Sequence, residues 1–182
     1  MWNKIFPNRF SLLKTFVVTF LLLSFFIRLI LFLWSFSESD TSIINLIFTF
    51  LIGFFYDLGT ISFFALPYAL YLLFFPVKFY GSWFDKIITY FGYSLGIIIF
   101  LFSFFAEITF WEEFKNRFNF IAVDYLIYTF EVVKNINESY PIPMLVSIIL
   151  IVFLILFFIT KKRGAFSSTF KNKTSFKEKI LP

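Results

Sequence analysis

The chain contains no cysteine and no histidine. Without cysteine there is neither a disulfide framework nor a thiolate metal site. Without histidine it lacks the commonest general base and metal ligand, and Ser–His and Cys–His nucleophile pairs are excluded. Charge is scarce too: 15% of residues are Asp, Glu, Lys or Arg. The few glycines form no Gly-rich phosphate loop, and no internal repeat is visible. What fills the chain is apolar. Of 182 residues, 60% are hydrophobic and 26% aromatic, with 34 Phe and a mean hydropathy of +0.87. A soluble domain of this size cannot bury that much apolar surface, so the fold class expected is an all-α integral membrane protein. The bias toward Phe, Ile, Lys and Asn matches AT-rich coding, so part of the Phe excess is compositional.

A helix crosses a bilayer with roughly 20 apolar residues at ~1.5 Å each. Four spans are expected, over residues 15–36, 54–75, 87–106 and 142–160. The second apolar zone, 43–75, is too long for one straight span and too short for two with a turn. It reads as a tilted or broken span over 54–75 after an interfacial lead-in, with Gly59 and Pro67 as kink points. Two short helices bending near residues 57–59 are the alternative. The first span reads as an uncleaved signal anchor, because its apolar region is long and carries Arg28.

Charge alternates across these spans. The N-terminal segment carries Lys4, Arg9 and Lys14 without an acid, and the next loop carries Glu38 and Asp40 without a base. The loop after span two has Lys78 and Lys86 against Asp85. Residues 107–141 hold six acids against three bases, and the tail 161–182 holds seven bases against Glu178. Lys and Arg mark the cytoplasmic side. Both termini are therefore expected in the cytoplasm, with 161–182 a basic tail and 107–141 outside. The same pattern accounts for the pI near 9.4, so no nucleic-acid partner is implied, and the partners expected are membrane lipids.

Arg28 and Asp57 fall within apolar runs. Counted from the inner ends of their helices they lie about 21 Å and about 28 Å up, close enough in depth to pair. Intramembrane charges are costly and usually paired; snorkelling to the headgroups is the other reading. Glu107 closes span three and reads as an interfacial residue.

The stretch 107–141 differs from the rest. Trp111, Phe114, Phe118, Ile121, Tyr125, Tyr128 and Val132 recur at spacings of three and four, one face of an amphipathic helix. Glu113 and Arg117 stand at i,i+4, and Arg117, Asp124 and Glu131 are spaced to line one edge. An element so charged is expected to lie in the outer interface, with Trp and Tyr at headgroup depth, in one or more helical pieces.

The wording of this stretch goes further. Phe110-Trp111-Glu112-Glu113-Phe114, the run from Arg117-Phe118-Asn119-Phe120-Ile121 through Asp124-Tyr125-Leu126-Ile127-Tyr128, then Glu131-Val132 and Glu138-Ser139-Tyr140-Pro141 closely resemble the membrane domain of the lipoteichoic acid synthase-like family. Phe55-Tyr56-Asp57-Leu58 and Leu66-Pro67 resemble that family's second span. The family belongs to the sulfatase and alkaline phosphatase superfamily. The resemblance implies five spans followed by an extracytoplasmic catalytic domain, which transfers phosphoglycerol or a related group using a Thr nucleophile and a divalent metal. This chain is expected to hold four spans and to stop before the fifth, so it carries neither catalytic residue nor cofactor site, and the metal belongs to the catalytic domain. Arg117 then reads as a phosphate or lipid contact. Asp124, Glu131, Trp111 and Tyr125 read as headgroup contacts or as docking points for a catalytic domain encoded downstream or separately. The alternative is a stand-alone small membrane protein that binds a lipid or partner through the same face.

Overall fold

The computed structural model describes residues 9–37, 42–119 and 141–171, with positions 121, 127, 134 and 138. The described residues form helices and no strand: α1 (Ser11–Trp34), α2 (Ile43–Phe74), α3 (Trp83–Phe114), α4 (Ile142–Lys162) and the short α5 (Ala165–Lys171). The first four are each long and apolar enough to cross a membrane.

Two helices outrun the lengths read from sequence. α2 is one unbroken helix of 32 residues. It begins at Ile43, where a lead-in was expected, passes residues 57–59 without a break and holds Pro67 inside it. α3 also has 32 residues and runs through Glu107 to Phe114, two turns beyond the expected end at 106. Ser82 caps its start, accepting from the Asp85 amide at 3.3 Å. Lys115 ends it with φ 53° in the left-handed region, the usual geometry just past a helix C-terminus. The amphipathic stretch expected in one or more helical pieces is broken here: Trp111 and Phe114 belong to the last turn of α3, and residues 115–119 are not helical.

α1 and α3 are the inner helices. α2 packs on α1, α4 packs on α3, and α5 packs on both α1 and α4. α2 and α3, although consecutive, approach each other through side chains such as Tyr68–Thr89 and Phe64–Phe100 more than through close backbones. The inner helices meet along buried stripes. α1 buries Leu12, Phe16, Phe20, Ser24 and Arg28 at every fourth position. α3 buries Asp85, Thr89, Tyr93 and Ile97, then Phe100, Phe104 and Glu107. Residues four apart share a helix face, so each stripe is one continuous ridge. The ridges mesh through ring contacts: Phe16 stacks on Phe100 at 5.1 Å, and Phe20 meets Phe100 at 4.5 Å. Gly96 makes the approach close enough, since a Cβ there would lie 2.8 Å from the Phe16 ring.

Both stripes end in charge. Asp85 and Glu107 are 22 residues apart on α3, about 33 Å along the axis, against ~30 Å of bilayer hydrocarbon. The buried charges accordingly sit at the two edges of a membrane-deep core.

Candidate functional site

At one edge, Arg9 is completely buried. Its Nη1 donates to Asp85 Oδ2 at 2.8 Å and its Nη2 to Asp85 Oδ1 at 2.6 Å, a bidentate pair across 76 residues. Nη1 also donates to the Thr169 carbonyl at 3.0 Å. The guanidinium lies 4.1 Å from the Tyr80 ring centroid. Asp85 further accepts from the Tyr71 hydroxyl and from the Gly81 amide, each at 2.8 Å. Burial alone would lower the Arg9 pKa; the hydrogen bonds and charge of Asp85 outweigh it and hold Arg9 above its ordinary value. This knot gathers the start of α1, the end of α2, the start of α3 and α5 at one end of the bundle. Part of the basic tail joins it. Residues 165–171 are a packed helix, with Ala165, Phe166 and Thr169 buried. Phe166 stacks on Tyr90 at 4.6 Å, and Thr169 Oγ1 accepts from the Leu12 amide at 3.0 Å.

At the opposite edge lies the charge cluster that carries the functional interest. Arg28 and Asp57 meet: Nη2 donates to Oδ2 at 2.8 Å, with side chains 7% and 11% exposed. Arg28 lies flat across Gly53, where any Cβ would overlap the guanidinium. Arg117 reaches back ten residues to Glu107, with Nε donating to Oε1 and Nη2 donating to Oε2 at 3.1 Å. The left-handed turn at Lys115 reverses the chain and permits this reach. Glu107 is thus a buried ion-pair partner, not merely an interfacial cap, and Arg117 pairs with it rather than with Glu113, the partner its i,i+4 spacing points to. The Arg117 pKa would fall by burial, but Glu107 and then Asp57 hold it above the usual range. Trp111 Nε1 donates to Ser35 Oγ at 3.1 Å, joining the ends of α1 and α3. Asp124, Tyr125 and Glu131 lie outside the described residues.

The cluster is polarised. On one side is a cavity of about 190 Å³ bounded by Arg28 and Arg117, with Ser35, Asn45, Thr49 and Trp111. Among the described residues, no carboxylate lines it. On the other side is a cavity of about 350 Å³ whose wall includes Asp57, Glu107 and Arg117. Each carboxylate is held by an arginine, so the acids fix the guanidinium planes, and Arg117, whose side chain is 40% exposed, borders both cavities. Fixed guanidiniums beside amide and hydroxyl groups suit an oxyanion, and the planar fork matches phosphate geometry.

The sequence reading missed the Arg9–Asp85 knot. Its one local signal is Asp85, an acid at a helix start beside basic residues. Comparison with protein-family models, with curated proteins and with solved structures finds no match for this chain.

Proposed function

We propose that this chain is a membrane module of the bacterial cytoplasmic membrane, the anchor portion of a lipoteichoic acid synthase-like phosphoglycerol transferase. Both termini face the cytoplasm, and the Arg28–Asp57–Glu107–Arg117 cluster faces outward. Its task is to hold the phosphate of a lipid headgroup beneath a catalytic domain; the chain performs no bond-breaking step alone. The observation that carries this reading is the cavity bordered by both Arg28 and Arg117, whose described lining holds no carboxylate. Two oriented guanidiniums at the edge of an apolar core suit a phosphodiester at headgroup depth. The wording of residues 110–141 supports the family assignment, and the charge alternation supports the sidedness.

The test is lipid retention. The protein is placed in nanodiscs of mixed anionic and zwitterionic phospholipid, and the lipids it keeps are counted by native mass spectrometry. The unmodified chain is expected to keep an anionic phospholipid. Arg117→Ala is expected to lower that retention by about tenfold, and Arg117→Lys to restore part of it, as a point charge replaces the fork. An unchanged lipid profile in Arg117→Ala would overturn the reading.

A further inference from the structure

The headgroup cluster has an apolar continuation. α2 and α3 both pack on α1 while their backbones stay apart, which leaves a cleft with α1 as its floor, crossed by the side-chain contacts Phe64–Phe100, Tyr68–Thr89 and Tyr71–Asp85. The cavity beside Asp57, Glu107 and Arg117 is its upper chamber, where the hydroxyls of Ser24 and Ser103 line the wall. Below it a second chamber of about 190 Å³ lies against Phe16, Pro67, Gly92 and Gly96 and is almost wholly apolar. Phe64 borders both chambers, so they follow one another along the same three helices. From Glu107 to Gly92, at the lower chamber, is fifteen residues of α3, about 22 Å, which reaches past the middle of a ~30 Å hydrocarbon core.

We infer that this cleft is a slot for one acyl chain of a phosphate-headed membrane lipid, entered sideways from the bilayer between α2 and α3. The inference rests on the headgroup reading above. Its own support is the order of chemistry along the cleft: the ion-paired Arg117 that it shares with the headgroup cavity, then hydroxyls, then hydrocarbon. That is the order of groups in a glycerophospholipid from phosphate through ester to chain. Gly92 and Gly96 keep the α3 wall low. At Gly96 there is no room for a Cβ against Phe16, whereas a Cβ at Gly92 would meet nothing within 4 Å. Gly92 is therefore the position where a larger side chain fills the slot without disturbing the helices, and helix propensity favours that change.

The experiment uses the full chain in nanodiscs doped with an anionic phospholipid that carries a photoreactive diazirine midway along one acyl chain. Crosslinks mapped by peptide mass spectrometry are expected to concentrate on Phe16, Phe64 and Pro67. Gly92→Leu is expected to reduce cleft labelling about fivefold or more, a penalty of the order seen when a packed space is overfilled. Gly59→Leu, at a helical position equally open to a Cβ but outside the cleft lining, is expected to leave labelling unchanged. Labels spread evenly over the outer faces of α2 and α4, or unchanged cleft labelling in Gly92→Leu, would overturn the slot. If Arg117→Ala loses the lipid while Gly92→Leu does not change labelling, the slot fails and the headgroup reading stands. If Gly92→Leu removes cleft labelling while Arg117→Ala keeps the lipid, the slot stands and the headgroup reading fails.

Discussion

Arg9 and Asp85, both fully buried, have the most to lose from a single substitution. Removing one member of a buried ion pair strands the other charge, a loss of about 3–5 kcal/mol, whereas replacing both with apolar side chains of similar volume is often neutral. Arg9→Ala is therefore expected to lower unfolding stability by about that much in detergent micelles, and Arg9→Met with Asp85→Leu to recover most of it. Equal losses from the single and double variants would contradict this account. At the other edge, Gly53→Ala is expected to lift Arg28 off Asp57, because the added methyl occupies the guanidinium's place. Stability should fall by about 1–3 kcal/mol, measured in the same way. The two pairs differed in legibility. Arg28 and Asp57 stand alone in apolar runs, so each announces itself against its neighbours. Arg9 sits in a basic segment and Asp85 at a loop, where single charges are ordinary; their contact spans 76 residues and leaves no local pattern. Glu107 lay between these cases. Its place at the end of an apolar run was plain, but its partner depended on a chain reversal at Lys115, a residue type that carries no turn signal.

At the scale of elements, the four long helices were legible because lipid-grade hydropathy persists over each of them. Their ends were not. α3 gains two turns from Ile108, Thr109 and the aromatics at Phe110, Trp111 and Phe114, residues acceptable to a helix and to an interface alike. α2 stays whole through Pro67, since a helix packed along its length on α1 tolerates one lost hydrogen bond. α5 was hidden by its composition: Ser, Thr and Lys suggest a tail, while Phe166 and Phe170, one turn apart, mark the face that packs. Gly164, with φ 74°, makes the corner that folds α5 back. Phe166→Ala is expected to cost about 3 kcal/mol and to open α5, raising the rate of tryptic cleavage at Arg163. Cleavage at the rate of the unmodified protein would mean that α5 is not held by this ring. Gly164→Ala, forced into a conformation that costs a side chain ~1 kcal/mol, should act in the same direction and more weakly.

Over the whole molecule, the charges sort into two layers separated by an apolar core about as deep as a bilayer's. Arg9 and Asp85 hold one edge; Arg28, Asp57, Glu107 and Arg117 hold the other. The described residues place the start of α1, the end of α2, the start of α3 and the end of α4 at the Arg9 edge, so the described bundle runs up and down. Lys78, Lys86, Lys161, Lys162 and Arg163, the described part of the lysine and arginine excess in the loop and tail, belong to that same edge. The proposed function requires the Arg9 edge to face the cytoplasm and the Arg117 cluster to face out. The absence of cysteine makes this directly measurable. Single-cysteine variants Lys78→Cys and Lys115→Cys are expressed in intact bacterial cells and exposed to a membrane-impermeant maleimide. Labelling at position 115 and protection at position 78 until the cells are lysed are expected; labelling at 78 with protection at 115 would contradict the account.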